Sequence, residues 1–272
     1  MRETIKALLL GLLQGITEWL PVSSTGHMLL FNTFFPMDVS EEFLSLFLVV
    51  IQLFSVFAVV LYYRRRLFPP MHGKTEAEKK KYVHLCRNIL IGILPAAVAG
   101  FFLDDLIERV CYRPEVIASA LILFGVIFLF LDKKSKKPLY TSAEDLSAGS
   151  SFLVGIFQTM ALIPGVSRSG ATMVGGIQAG ATRETAAEFS FFLSIPVMIG
   201  ASGLRAVKYF LTGDRLTTQE IFLLAVGGIT AFLVSLVTVR FLLDFVKKHG
   251  FFAFGVYRIL LGFLVFILFL LI

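Results

Sequence analysis

Two short runs hold most of the residues that could do chemistry. One contains a carboxylate, hydroxyls and an imidazole: Glu18, Ser23, Ser24, Thr25 and His27. The other sets a guanidinium between two hydroxyls: Ser167-Arg168-Ser169. His27 follows Ser24 by three residues, a spacing at which a side chain in the first helical turn reaches back to the residue starting it. A hydroxyl within reach of an imidazole is a nucleophile–base arrangement, and Glu18 is available to orient the ring. The same spacing also serves a plain capping contact, and it does not choose between Ser23 and Ser24 as the attacking group. Gln14 and Glu18 lie four apart on one helix face. An acid in so apolar a segment suits a base or a metal ligand. Arg168 carries a planar fork that matches phosphate or carboxylate with two parallel bonds. Its bland alternative is a structural ion pair, with Glu18 as the partner.

The elements holding these residues are broken helices. Pro21-Val22-Ser23-Ser24-Thr25-Gly26-His27 interrupts the apolar stretch 7–35, and Pro164-Gly165-Val166-Ser167-Arg168-Ser169-Gly170 interrupts 152–181. These are residues of turns and helix starts. Each half of roughly 9–14 residues reaches only about 14–21 Å as helix, against a hydrocarbon core of about 30 Å. The sequence therefore predicts two re-entrant helical hairpins with their tips at membrane depth. A helix start offers free N–H groups and a positive dipole end to an anion; a single such tip reads more readily as an ordinary N-cap, whereas two copies on broken membrane helices favour the anion site. An Arg at that depth is costly and points to function.

Composition places the whole chain in the membrane. Of 272 residues, 57% are apolar and 16% charged, with a mean hydropathy of +0.83. Soluble domains run near 45–50% and about 25%. A disordered chain, a collagen and an ordinary soluble enzyme are excluded, leaving an all-α polytopic membrane protein. Six stretches read as crossings: 43–63, 86–103, 115–131, 187–207, 220–240 and 251–272. The first residues resemble a signal peptide, but Gln14 and Glu18 follow in the same apolar segment with no small-residue cleavage site, so the segment is expected to be retained. Cys86 and Cys111 flank a crossing and are expected not to bridge. The net charge of +6 fits basic loops beside membrane spans, and no nucleic-acid partner is expected. Arg258, in the last crossing, is expected to snorkel or to pair with an acid such as Asp244, and is assigned no role. No P-loop, GxGxxG, paired CxxC or HExxH pattern occurs.

The two broken stretches are also copies. Gly11-Leu12-Leu13-Gln14 aligns with Gly155-Ile156-Phe157-Gln158, and Val22–Gly26 with Val166–Gly170. Glu42-Phe43 is echoed by Glu188-Phe189. Arg168 takes the place that Ser24 holds in the first copy, and Leu162 stands where Glu18 would be. The chain thus reads as one membrane domain of two repeats, about 1–136 and 150–272, each a hairpin plus three crossings. An odd number of crossings inverts the second repeat relative to the first, and such repeats place their site where the breaks meet. If 64–87 and 132–150 share a face, sixteen Lys and Arg gather there and seven on the other side. The richer face is expected to be cytoplasmic and both termini extracytoplasmic. The architecture alone equally suits a transporter or flippase for a prenyl phosphate or another anion.

At these residues a family resemblance emerges. The segment from Gln14 to His27 resembles the first signature of the bacterial undecaprenyl-diphosphate phosphatases, and Pro164–Thr172 resembles the second. The resemblance implies a multi-pass enzyme of the bacterial cell (inner) membrane. Such an enzyme turns undecaprenyl diphosphate into undecaprenyl phosphate and inorganic phosphate, recycling the lipid carrier of cell-wall synthesis. It also implies a divalent cation, Mg²⁺ or Ca²⁺, and a link to bacitracin resistance. Glu18, Ser24, His27 and Arg168 match the family's functional positions, with Glu18 as the expected metal ligand. Gln14 stands where the family has Glu or Gln. The expected substrate contacts are Gln14, Ser23, Thr25, Gly26, Ser167, Ser169, Gly170 and Thr172. The expected partners are a prenyl diphosphate lipid and the bilayer, with a homodimer left open.

Overall fold

An apolar run in lipid satisfies its backbone by coiling into helix, and the turn residues between the runs decide where each helix starts. The computed structural model describes residues 1–131, 137–211 and 215–271. Its helices are α1 (Arg2–Thr17), α2 (Ser24–Phe34), α3 (Glu41–Tyr62), α4 (Arg64–Leu67), α5 (Glu76–Cys111), α6 (Pro114–Leu131), α7 (Ala148–Thr159), α8 (Arg168–Gln178), α9 (Arg183–Leu211), α10 (Thr218–His249) and α11 (Phe252–Leu271). Among the described residues the only β pairing is an isolated bridge between Tyr140 and Ala181. Ser40 caps α3, and reciprocal Thr–Glu capping boxes open α5 (Thr75, Glu78) and α10 (Thr217, Glu220).

Among the described residues six helices are long and apolar enough to cross a membrane: α3, α5, α6, α9, α10 and α11. They match the six stretches expected from sequence, four of them in full, with 63 and 251 falling just outside α3 and α11. Pro95 and Pro196 sit inside α5 and α9 without ending them. Both cysteines are free. The breaks also fall where the turn residues put them. α1 and α2, of 16 and 11 residues, flank 18–23; α7 and α8, of 12 and 11 residues, flank a 3-10 turn at Met160–Leu162 and the segment 163–167. Residues 132–136, which include three of the sixteen counted cations and the expected end of the first repeat, lie outside the described residues, as does residue 272.

Small residues let the backbones close in. A Cβ on Gly11 of α1 would collide with the Gly227 carbonyl of α10. A Cβ on Gly155 of α7 would lie 2.5 Å from the Gly92 carbonyl of α5. Gly11 and Gly155 are aligned positions of the two copies, so one crossing recurs with different partners. α6 and α11 meet through Gly125, Gly255 and Gly262 in the same way.

One end carries a polar network of its own. There Arg66 pairs with Glu144 and Glu188 at 2.8 Å each, Asn88 donates to the Leu146 carbonyl at 2.6 Å, and Lys247 pairs with Glu184 at 3.2 Å. Residues 64–88, 142–147, 183–188 and 247 therefore share that end. Burial works to raise the Glu144 carboxyl, but the Ser142 hydroxyl and the Arg66 guanidinium hold it below the ordinary carboxylate range.

The second break depends on one glycine. Gly165 has φ +94°, and a Cβ there would lie 2.5 Å from the Ile117 carbonyl of α6. Gly165→Ala should therefore cost roughly 2–4 kcal/mol, combining backbone strain with overpacking against an atom that cannot rotate away. Thermal unfolding of the purified variant in detergent checks this, and an unchanged midpoint contradicts it.

Candidate active site

The two breaks meet. Glu18 follows α1 with its backbone still helical (φ −66°, ψ −43°) and its N–H on the Gln14 carbonyl, so its side chain stays on the Gln14 face. Gln14 Nε2 donates to Glu18 Oε2 at 2.8 Å. Gln52 of α3 donates to the same oxygen at 3.3 Å, and so does the Ser24 hydroxyl, at 3.3 Å. The other oxygen, Oε1, takes Arg168 Nη2 at 3.1 Å. Arg168 also donates through Nη1 to the Ser190 carbonyl of α9 at 2.9 Å, and it lies 5.6 Å over the Trp19 ring. Both members of the pair are deep, with side-chain exposures of 12% for Arg168 and 4% for Glu18. The two charges expected to converge from opposite copies are in direct contact.

The helix starts on either side are built alike. Ser23 (φ 74°) and Ser167 (φ 73°) are the only non-glycine residues with positive φ among the described residues. Each caps its helix by accepting from the third N–H, Gly26 in one and Gly170 in the other. A side chain in that region costs about 1–3 kcal/mol and tends to persist where function requires it. With the third N–H taken, helix geometry leaves the first two free: those of Ser24 and Thr25 on α2, and of Arg168 and Ser169 on α8.

Other expected residues are present but differently engaged. The His27 ring does not turn to the Ser24 hydroxyl. Its Nδ1 lies 2.7 Å from the Ser23 carbonyl, and its Nε2 lies 2.6 Å from the Tyr257 hydroxyl of α11. A carbonyl only accepts, so Nδ1 carries hydrogen. The neutral ring then accepts from Tyr257 at Nε2. Ser169 Oγ lies within reach of the Glu18 and Leu20 carbonyls, at 3.2 and 3.3 Å, tying the second tip to the first break. Ser167 Oγ is 3.1 Å from Ser169 Oγ. Thr172 is fully buried and bridges the Arg168 carbonyl (2.8 Å) and Ser190 Oγ (2.6 Å), so it steadies the turn that presents Arg168. Gln158, the counterpart of Gln14, faces the Gly92 carbonyl of α5 at 3.4 Å. Thus only the first copy directs its amide at an acid.

Sequence reasoning missed four contacts. Gln52 is a polar residue in the middle of a crossing, a signal that was available. Met198, whose sulfur is 4.0 Å from Arg168 Nη2, gives no such signal. Tyr257 positions His27. Arg258, assigned no role from sequence, is buried completely and reaches both breaks: Nη1 donates to the Pro21 carbonyl at 3.1 Å, and Nη2 to those of Gly165 and Val166 at 2.8 and 2.9 Å.

Chemically, the site offers a buried guanidinium, two helix starts with free donors, and a hydroxyl held against a carboxylate. This is a receptor for a compact, highly charged anion with an adjacent nucleophile. Comparison with known proteins finds matches over nearly the whole chain. Undecaprenyl-diphosphatase 1 of Clostridioides difficile (strain 630) is 45% identical over 263 residues, covering 97% of this chain and 95% of that protein. The undecaprenyl-diphosphatase of Acetivibrio thermocellus is 46% identical over 272 residues, 99% of each chain. That of Enterococcus faecalis is 44% identical over 259 residues, 94% of each. The family model for the bacitracin resistance protein BacA matches residues 7–264. With nearly the whole chain matched and both signature runs meeting in one site, this protein belongs to the BacA family.

Proposed function

We propose that this chain hydrolyses undecaprenyl diphosphate to undecaprenyl phosphate and inorganic phosphate at the bacterial cell membrane, recycling the lipid carrier of cell-wall synthesis. The near full-length relatives support the substrate. The observation that carries the chemistry is the Ser24 hydroxyl donating to Glu18 beside Arg168.

The roles follow from that geometry. Arg168 and the free N–H groups of the two helix starts hold the terminal phosphate and its developing charge. Ser24 Oγ attacks phosphorus and its proton passes to Glu18. The bond from phosphorus to the bridging oxygen breaks, and undecaprenyl phosphate leaves with the electron pair. Water then cleaves the phosphoserine. His27, held by Ser23 and Tyr257, packs the nucleophile's turn. A transporter would use Arg168 and the helix starts but has no use for a hydroxyl set against a carboxylate.

The cation belongs to the same proposal. A hard divalent ion takes oxygen ligands. Glu18, the Ser24 hydroxyl and the amides of Gln14 and Gln52 gather at one point and are the residues that would hold it. Among the described residues no group of three or more His, Cys, Asp or Glu could hold the ion unaided. When bound, such an ion supplies charge neutralisation of the leaving diphosphate oxygens. Chelation with EDTA should lower turnover at least about tenfold, and excess Mg²⁺ or Ca²⁺ should restore it.

The inverted repeat with two re-entrant hairpins is part of this reading. It is supported by the half-length helices and by the Gly11–Gly227 and Gly155–Gly92 crossings. So is an orientation with the Arg66–Glu144 end in the cytoplasm, which the positive-inside rule favours. The test is phosphate release from a prenyl diphosphate by the purified full chain in detergent with Mg²⁺ or Ca²⁺ present. Release is expected, and none under either ion overturns the reading.

A further inference from the structure

We infer that Arg258 is a positioning residue that locks the two breaks against each other, and with them the Ser23 and Ser167 caps that aim Ser24 and Arg168. The inference rests on the hydrolytic reading above and adds a residue that touches no substrate.

The guanidinium has no surface exposure. A buried cation is costly unless it is paired and hydrogen-bonded. Among the described residues its hydrogen-bond partners are backbone carbonyls alone: Pro21 in the first break, Gly165 and Val166 in the second. Carbonyls in a broken helix lack the intrahelical donors that a continuous helix would give them, and at membrane depth water cannot serve in their place. One fork therefore satisfies both interruptions at once. Phe124 and Phe128 of α6 lie 5.6 Å from its carbon, so the plane is held by aromatic faces as well as by bonds. Only Nε is left without a partner.

The lever arm is short. Pro21 is two residues before Ser23, and Val166 immediately precedes Ser167. Both caps are the strained positive-φ residues, which hold only when their surroundings over-determine them. Ser24 and Arg168 are the next residues along. A shift of the carbonyls by an ångström would swing the nucleophile and the phosphate-binding fork relative to each other, and such a shift can cost about 10²-fold in rate. The fork is filled by carbonyls, so it is not a phosphate ligand. Lys cannot substitute, because its ammonium is a point charge without the planar two-pronged geometry.

The experiment compares Arg258→Lys with the wild-type full chain in detergent, with Arg258→Met as the harsher variant. Arg258→Lys keeps the charge and the aliphatic stem. Its kcat for phosphate release should fall about 10²-fold while KM stays within about threefold, since positioning rather than charge is lost. Hydrogen exchange read by mass spectrometry should rise at 21–26 and 165–170 together, with α3 and α9 unchanged. Wild-type kcat, an unchanged exchange rate at the breaks, a rise at only one break, or an even rise over the whole chain would each overturn the inference. The exchange readout needs no turnover. An inactive wild-type chain whose breaks still loosen in the variant would therefore count against the hydrolytic reading and not against the lock.

Discussion

Arg168→Ala should lower kcat/KM for phosphate release by about 10³-fold or more, and Arg168→Lys should recover only a small part of it. Among the described residues the guanidinium is the only side-chain cation in contact with Glu18, and it stands at the start of α8, where the dipole and two free N–H groups add to its field. Its removal takes away both the charge and the fork that a terminal phosphate needs. A confounding effect must be separated. Deleting one member of a buried ion pair costs about 3–5 kcal/mol because the other is left uncompensated, so Arg168→Ala can lose activity simply by unfolding. The double variant Glu18→Gln/Arg168→Met removes both charges together and should be closer to the wild type in thermal stability while remaining inactive. Arg168→Lys keeps a counter-ion for Glu18 and tests the fork alone. Full activity in Arg168→Ala would end the assignment of the phosphate to this site.

What the sequence made legible was whatever depends on the cost of polarity in lipid. The breaks at 18–23 and 163–167 were readable because Pro, Gly and hydroxyls cannot lie in an apolar run by accident. The contact between Glu18 and Arg168 was readable across the length of a repeat because two opposite charges at one depth have few other partners. Contacts to backbone were not readable. Arg258 binds three carbonyls, and every residue has a carbonyl, so no residue type announces such a partner. His27 illustrates the limit of spacing. Its ring reaches back four residues to the Ser23 carbonyl and across to Tyr257, whereas the count of three to Ser24 suggested a dyad. Ser24 was free to pair with Glu18 because the chain folds back at Pro21, a turn whose direction spacing does not encode. The two copies also diverge in a way that alignment alone could not resolve. Gln14 serves the acid, while Gln158 serves the Gly92 carbonyl.

Glu18→Gln gives the second large effect and the sharper mechanistic test. The carboxylate accepts from four donors: Gln14, Ser24 and Gln52 at one oxygen, and Arg168 at the other. An amide of the same shape has one accepting oxygen and introduces two donors, so it can satisfy Arg168 or the Ser24 group but not both. It also cannot take the Ser24 proton. kcat should fall by about 10³-fold or more. KM should not rise in proportion, because Arg168 is relieved of its internal anion and remains available to the diphosphate. A variant that raised KM with kcat nearly unchanged would instead mark Glu18 as a binding group. Ser24→Ala, measured beside it, separates nucleophile from base. If Ser24 attacks, the two variants should be comparably inactive, and their combination should cost little more than either alone, as with residues that act as one unit. If Ser24→Ala keeps most of the activity while Glu18→Gln does not, Glu18 must be drawing its proton from water or from Ser23, and the phosphoserine drops out of the scheme. Glu18 stays in the mechanism under both outcomes, because its Oε2 is the point on which Gln14, Ser24 and Gln52 converge.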